Sequence, residues 1–178
     1  TIDGINFHYV SYGKSQECIL FIHGYTGDIS DWQNQIDHFK NDYTVLALDL
    51  RGHGLTDAPK DRSKYTRSIM GDDVISLVKL LDFNNFHILG HSMGGKVAMQ
   101  LAFDAPDLLQ SLTVVDIAPK PYPSHHDDIL TAFAAVSLDT CQTLNDIDLA
   151  LSAYLPDPVL RSFLLKNAKR NEEKQFYW

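Results

Sequence analysis

Cysteine is scarce in this sequence, which has only Cys18 and Cys141 among 178 residues. Two cysteines so far apart form no disulfide framework, and we expect a protein of a reducing compartment, the cytoplasm. Cys18 stands in an apolar run, where we expect it to be buried. No apolar run approaches the roughly 20 residues that a membrane-spanning helix needs. The first residues, Thr1–Gly4, do not resemble a signal peptide.

Basic residues are also few relative to acidic ones. The chain has 15 Lys and Arg against 23 Asp and Glu, which gives a net charge of −8. Nucleic acids and anionic membranes bind proteins with clustered positive charge, so we expect neither as a partner. Hydrophobic residues make up 44 % of the chain and charged residues 21 %, which is ordinary for a globular protein with one core.

Short apolar runs alternate with amphipathic segments over the first 118 residues. Continuous apolar runs favour strands that are buried on both faces of a parallel sheet. We predict strands at 5–12, 18–22, 43–48, 86–89 and 112–115, and helices at 31–40, from about 67, and at 93–104. This order predicts an α/β fold, with a mostly parallel sheet and helices on both faces.

The pattern changes after residue 118. Prolines at 119, 121 and 123 interrupt it, and we predict that the remaining residues are all helical. Asp157 and Pro158 suit the N-cap and first position of one of these helices. We therefore predict a core at 1–118 and a helical cap or lid at 119–178.

The segment Gly90–Gly94, Gly-His-Ser-Met-Gly, matches the pattern G-x-S-x-G. It lies between a predicted strand and a predicted helix, which is the context that a nucleophile turn requires. Such a turn lifts the serine hydroxyl above the sheet at a helix N-terminus, where negative charge is favoured. We predict that Ser92 is a catalytic nucleophile; the alternative is an ordinary turn serine.

A second segment, His23-Gly24-Tyr25, follows an earlier apolar strand. In serine hydrolases with this kind of turn, two backbone N–H groups bind the developing oxyanion: that of the residue after the nucleophile and one from an earlier strand-end loop. Here these would be Met93 and Tyr25, and each such donor contributes roughly 3 kcal/mol. The alternative is that His23 and Gly24 only end the strand tightly.

A serine nucleophile needs a base, and the base needs an orienting carboxylate. Asp116 ends the strand that follows the nucleophile helix, and the carboxyl ends of parallel strands form the site in such sheets. We predict that Asp116 is the acid; the alternative is a capping or turn aspartate.

No histidine of the chain suits the role of base. His125 and His126 follow the proline-rich segment and favour a solvated turn. The His91 side chain is expected to point away from the Ser92 hydroxyl. His23 and His53 precede the serine and favour loop-shaping or pocket-lining roles. We expect the catalytic histidine, with further strands of the sheet, to lie in a C-terminal part that these residues do not include.

The sequence offers little for a metal or cofactor, and we expect none. The glycine-rich segment Arg51–Gly54 could in principle bind phosphate, but it lacks the Lys-Ser/Thr pair of a P-loop. The segment His125–Asp128 is too compact for metal ligation from one helix face. Asp49 ends a strand, but it precedes Ser92 and is not a nucleophile candidate.

Three segments together resemble the α/β-hydrolase superfamily: His23-Gly24, Asp49–Gly54 and Gly90–Lys96. The segments Val115–Pro119 and Phe163–Asn167 resemble the YbfF-type bacterial esterases more specifically. This resemblance implies a carboxylesterase with a helical cap, whose acid is Asp116 and whose histidine lies on a late loop. The implied substrates are short-chain acyl esters, with acyl-CoA thioesters as a further class.

Two other functions remain open at this point. A C–C bond hydrolase of the same fold uses the same triad, and a small-molecule receptor could keep the pocket without turnover. A dehalogenase or epoxide hydrolase is disfavoured, because those enzymes have aspartate at the position of Ser92.

Overall fold

A computed structural model describes residues 1–122 and 127–178 of the chain. The described residues divide into two units, Thr1–Pro119 and Lys120–Trp178. In the first unit the strands are β1 (Tyr9–Tyr12), β2 (Cys18–Ile22), β3 (Thr44–Leu48), β4 (Phe86–His91) and β5 (Leu109–Val115). Its helices are α1 (Gln33–Phe39), α2 (Arg67–Leu80) and α3 (Met93–Asp104).

The five strands form one sheet in the order β1-β3-β2-β4-β5. The pairs β2–β3, β2–β4 and β4–β5 are parallel, and only β1 pairs antiparallel, with β3. The chain moves from β2 to β3 on one side and later to β4 on the other side of β2. The connections after β2 and β4 therefore lead to opposite sides of the sheet, and the carboxyl ends of these two strands are where a ligand crevice is expected in such a sheet.

Helices cover both faces of this sheet, as the alternation of strands and helices predicts. On one face, α2 and α3 pack on β2, β3 and β4 through a core that includes Leu20, Leu46, Val74, Ile88 and Leu101. On the other face, α1 and the 3₁₀ turn before it pack on the sheet through Phe21, Trp32, Ile36, Val45 and Ala47. Cys18 is 3 % exposed, as its apolar run predicts, and burial raises the pKa of its thiol to about 12.

Two predicted elements of the first unit are shorter than expected. The strand predicted at 5–12 covers only Tyr9–Tyr12, because loop groups take the preceding amides: the Asp57 carboxylate binds the N–H of Asn6, and the Thr56 hydroxyl binds that of His8. The helix predicted at 31–40 starts as a 3₁₀ turn, Ile29–Trp32, capped by Asp28, and becomes α-helical only at Gln33.

The second unit contains α4 (Asp127–Ala135), α5 (Leu144–Ser152) and α6 (Pro158–Leu165), which share a small core around Ala132, Ile147 and Leu164. The carboxylate of Asp157 accepts from the N–H of Val159, so α6 starts where the sequence predicts.

The prediction that this segment is all helical is wrong at its end. Two strands, β6 (Lys169–Arg170) and β7 (Phe176–Tyr177), form an antiparallel hairpin. Reciprocal hydrogen bonds between Asn171 and Gln175 close its turn. These bonds occupy backbone groups that a helix would use for its own hydrogen bonds. The Arg170 guanidinium lies 4.2 Å from the centre of the buried Phe176 ring and fixes the two strands together.

Candidate active site

Ser92 lies at a sharp turn between β4 and α3. The strand continues through Gly90 and His91, two residues further than the sequence prediction, and the helix starts at Met93. Ser92 itself has φ 50° and ψ −115°, a backbone conformation that L-residues other than glycine rarely adopt. Ser92 is the N-cap of α3, yet its hydroxyl makes no capping bond. The hydroxyl of this partly exposed serine is therefore not used to cap its own helix.

The turn is tight enough to require glycine on both sides of the serine. A Cβ on Gly94 would collide with the carbonyl oxygens of Ile22 and His23, and a Cβ on Gly90 would collide with the backbone of Gly94. The start of α3 therefore packs directly on the end of β2. This contact brings the loop after β2 beside the nucleophile turn.

Asp116 is adjacent to the same turn. The N–H of Ser92 donates to the carbonyl of Val115, at 2.9 Å, so Asp116 follows the residue that is bonded to the Ser92 backbone. Asp116 has φ 56°, and its side chain is 86 % exposed. The residues predicted as nucleophile and acid thus follow the ends of neighbouring strands, with the Asp116 carboxylate open to solvent.

The His91 imidazole lies beside Asp116 and the loop after β2. Its Nε2 is 3.9 Å from Asp116 Oδ2, which is too long for a hydrogen bond. On the other side, a Cβ on Gly24 would come within 2.9 Å of His91 Nδ1. His91 therefore fills the space between Gly24 and Asp116.

The loop that carries Tyr25 is a compact turn. The N–H of Gly27 donates to the Gly24 carbonyl at 3.0 Å, and Thr26 has φ 58°. Tyr25 is partly buried, and the side chain of Met93, whose N–H is the other predicted oxyanion donor, packs against the core between the sheet and helices α2 and α3. The loop and the first turn of α3 thus both lie at the carboxyl ends of β2 and β4.

His23 fixes the start of this loop. Its Nε2 accepts the N–H of Leu50 at 3.0 Å, so its proton is on Nδ1, which donates to the Gly24 carbonyl at 2.8 Å. Burial lowers the pKa of His23 to about 4, which keeps the ring neutral and preserves this tautomer. His23 thus has the loop-shaping role that its position suggests.

The loop after β3 contributes further buried polar groups. The His53 ring packs at 5.1 Å from His23 and 6.1 Å from Tyr25, and burial lowers the pKa of His53. The Arg51 side chain makes two bonds of 2.6 Å to Asp73 on α2, both fully buried. Burial raises the pKa of Asp73 against the opposing effect of Arg51. Arg51 therefore serves in a structural ion pair rather than in phosphate binding.

The remaining sequence predictions concern histidines, metals and membrane spans. His125 and His126 lie outside the described residues, so their predicted place in a solvated turn stays a prediction. Among the residues described, no three or more His, Cys, Asp or Glu side chains gather into a possible metal site. Within the same residues, no helix is both long and apolar enough to cross a membrane. Sequence reasoning missed the role of Asp49, a buried carboxylate whose only signal was its place at a strand end.

The sheet order, the strand–turn–helix at Ser92 and the crevice beside it define an α/β hydrolase. A family model for the alpha/beta hydrolase fold matches residues 17–157, and the chain belongs to this family. This confirms the fold that the sequence predicts.

Individual relatives are named as several kinds of hydrolase. The chain is 30 % identical to a Haemophilus influenzae protein named "Putative esterase/lipase", over 96 % of this chain and 58 % of the relative. It is 34 % identical to human "Epoxide hydrolase 4", over 68 % of this chain and 33 % of the relative. A solved structure, "Marine microorganism esterase", superposes with a TM-score of 0.89 at 30 % identity, covering 98 % of this chain and 68 % of that one. The chain thus spans only part of the length of these relatives.

Proposed function

We propose that this protein is a serine carboxylesterase that hydrolyses short-chain acyl esters, with acyl-CoA thioesters as a second substrate class. The observation that carries the proposal is the Ser92 turn: a non-glycine residue at φ 50°, at the start of a helix that its hydroxyl does not cap. Such strain is sustained at functional sites, where it sets the direction of a reactive group. The similarity to two proteins named as esterases supports the same chemistry.

In the proposed reaction, Ser92 Oγ attacks the acyl carbonyl carbon and transfers its proton to a histidine base. The carbonyl oxygen becomes an oxyanion, which accepts hydrogen bonds from the N–H groups of Tyr25 and Met93. The alcohol or thiol then leaves with the proton from the base. Water then attacks the acyl-serine carbonyl carbon as the base takes its proton. The second tetrahedral intermediate collapses, the base returns the proton to Ser92 Oγ, and the carboxylic acid leaves.

Asp116 is the proposed acid that orients the base. Its position after β5, next to the residue bonded to the Ser92 backbone, supports this role, and its exposed carboxylate is open to an incoming imidazole. We propose that the base is a histidine from outside these 178 residues. His23 does not suit the role, because both of its ring nitrogens are already engaged.

A nucleophilic serine is what separates this proposal from an epoxide hydrolase or dehalogenase, which would have aspartate at position 92. It also sets the chain apart from a receptor, which needs no strained serine. We further propose a cytoplasmic location, which the free thiols of Cys18 and Cys141 support.

Covalent labelling tests the proposal. In protein that includes the proposed histidine base, a fluorophosphonate probe should modify Ser92, located by peptide mass mapping, and turnover of p-nitrophenyl acetate should fall by at least about 10³-fold in Ser92→Ala. Ser111→Ala, which removes an exposed serine from the adjacent strand, is the matched control and should leave both unchanged. If Ser92 stays unlabelled in protein that includes the proposed base, the protein is not a serine hydrolase.

A further inference from the structure

The buried Asp49 carboxylate accepts hydrogen bonds from three separate segments of the chain. It lies one residue beyond β3 and is 2 % exposed. Its Oδ1 accepts the N–H of Ile29 at 2.8 Å, and its Oδ2 accepts the N–H of Leu55 at 2.9 Å and Nδ1–H of His8 at 2.7 Å. These donors come from the loop after β2, the loop after β3 and the segment before β1.

The position of this carboxylate is fixed from several sides. The Thr56 hydroxyl donates to the Asp49 carbonyl at 2.7 Å and accepts the N–H of His8 at 2.9 Å. Gly54 has φ 53°, and a Cβ there would collide with the carboxylate. The carboxylate therefore has little freedom to move, and neither have the groups bonded to it.

One of the three bonds reaches the candidate active site. The loop Gly24–Ile29 carries Tyr25, and two buried groups bind it at its two ends. His23 binds the carbonyl of Gly24 at the first end, and Asp49 binds the N–H of Ile29 at the other. Between these ends Thr26 has a positive φ of 58°, so the loop needs external contacts to keep its shape.

We propose that Asp49 is a positioning residue, whose carboxylate holds the loop Gly24–Ile29 so that the Tyr25 N–H points into the crevice beside Ser92. The catalytic consequence rests on the proposed function, because it takes the Tyr25 N–H as an oxyanion donor. The effect on the loop itself does not.

Asparagine is the informative replacement because it keeps the size of the side chain. A carboxylate accepts at both oxygens, whereas an amide has one accepting oxygen and a donating NH₂ group. The Asp49 carboxylate accepts three N–H groups. In Asp49→Asn the NH₂ group of the asparagine would face at least one of these N–H groups, so two donors would oppose each other and that hydrogen bond would be lost. A loop shift of about 1 Å at a catalytic group costs about 100-fold in rate, and losing an oxyanion donor costs about 100- to 1,000-fold.

Two measurements test the proposal, both on protein that includes the proposed histidine base. Amide hydrogen exchange of residues 24–29 in the folded protein should quicken at least about tenfold in Asp49→Asn, since the segment loses its anchor. The rate of fluorophosphonate labelling at Ser92 should fall about 10- to 100-fold. Asp73→Asn is the matched control: it makes the same change in another buried carboxylate, one that binds Arg51 and not the loop, so it should lower stability and leave both readouts unchanged.

A second variant covers the case in which Asp49→Asn does not fold. Ile29 is the first residue of a 3₁₀ turn that follows an extended N-cap residue, so the backbone permits proline there, and the proline ring displaces the N–H that binds Asp49. Ile29→Pro removes the N–H that Asp49 accepts and should reproduce the faster exchange and slower labelling. Ile29→Val keeps the N–H and serves as its control.

Unchanged exchange of residues 24–29 in both Asp49→Asn and Ile29→Pro would overturn the proposal. Faster exchange with an unchanged labelling rate would also overturn it, because the loop would then be held for stability alone. If the unaltered protein does not label at all, the proposed function fails, while the exchange measurement still decides whether Asp49 holds the loop.

Discussion

Replacing Ser92 with glycine should stabilise the protein relative to replacing it with alanine. Ser92 has φ 50° and ψ −115°. A non-glycine residue in such a region costs of order 1–3 kcal/mol, and alanine shares that cost because it keeps the Cβ. Glycine removes this conformational cost. It also gives the unfolded chain more conformational freedom than alanine does, which cancels roughly 0.4–1 kcal/mol of the gain in stability. We expect the free energy of unfolding of Ser92→Gly to exceed that of Ser92→Ala by about 1 kcal/mol.

The comparison is independent of catalysis because both variants lack the hydroxyl. Urea unfolding followed by circular dichroism measures the difference, which corresponds to about 2–4 °C in melting temperature for a chain of this length. Gln100, inside α3, gives the matched control. There the order should reverse, with alanine more stable than glycine by about 1 kcal/mol, since the backbone is helical. If glycine gives no advantage over alanine at position 92, the turn is not strained and the main argument for a nucleophile is lost.

Two further predictions concern packing and pH. Gly94→Ala should destabilise by about 3 kcal/mol, because its Cβ meets backbone oxygens of Ile22 and His23 that cannot give way. Gly71→Ala in α2, where the nearest side-chain atom would be 3.6 Å away, should instead stabilise by about 0.5–1 kcal/mol; equal effects in thermal melts would contradict the packing argument. Because the pKa of His23 is lowered from 6.5 to about 4, the unfolded chain binds more protons between these values. The free energy of unfolding should therefore fall by up to about 3 kcal/mol as the pH drops from 6.5 to 4, by more than in His23→Gln.

Much of the first unit could be predicted from the sequence because its signals are local. The apolar run Cys18–Ile22 is a strand buried along its whole length, and α3 spans the predicted residues, Met93–Asp104. In both places, hydrophobic pattern and glycine placement favour the same structure as the final packing. The local sequence pattern is therefore sufficient to predict an element where no distant side chain hydrogen-bonds to its backbone.

The prediction failed where distant side chains bind the backbone. Asp57 and Thr56 occupy amides of 6–8 that the alternation of residues assigns to a strand. The hairpin Lys169–Tyr177 depends on the bonds between Asn171 and Gln175, which sequence periodicity does not reveal. Asp49 was overlooked for the same reason, since its three donors come from distant parts of the chain.

Six non-glycine residues of the first unit have positive φ, and three of them, Asp3, Asp82 and Asn85, lie before β1 or between α2 and β4. The other three follow strands of the sheet: Thr26, Ser92 and Asp116 come after β2, β4 and β5, respectively. Each would relax if nothing held it, so buried contacts such as those of His23 and Asp49 must supply the opposing free energy. If Ser92 is the nucleophile that we propose, the buried contacts of His23 and Asp49 and the strained residues of the loops act together, and they hold the proposed catalytic groups in place at a cost in stability.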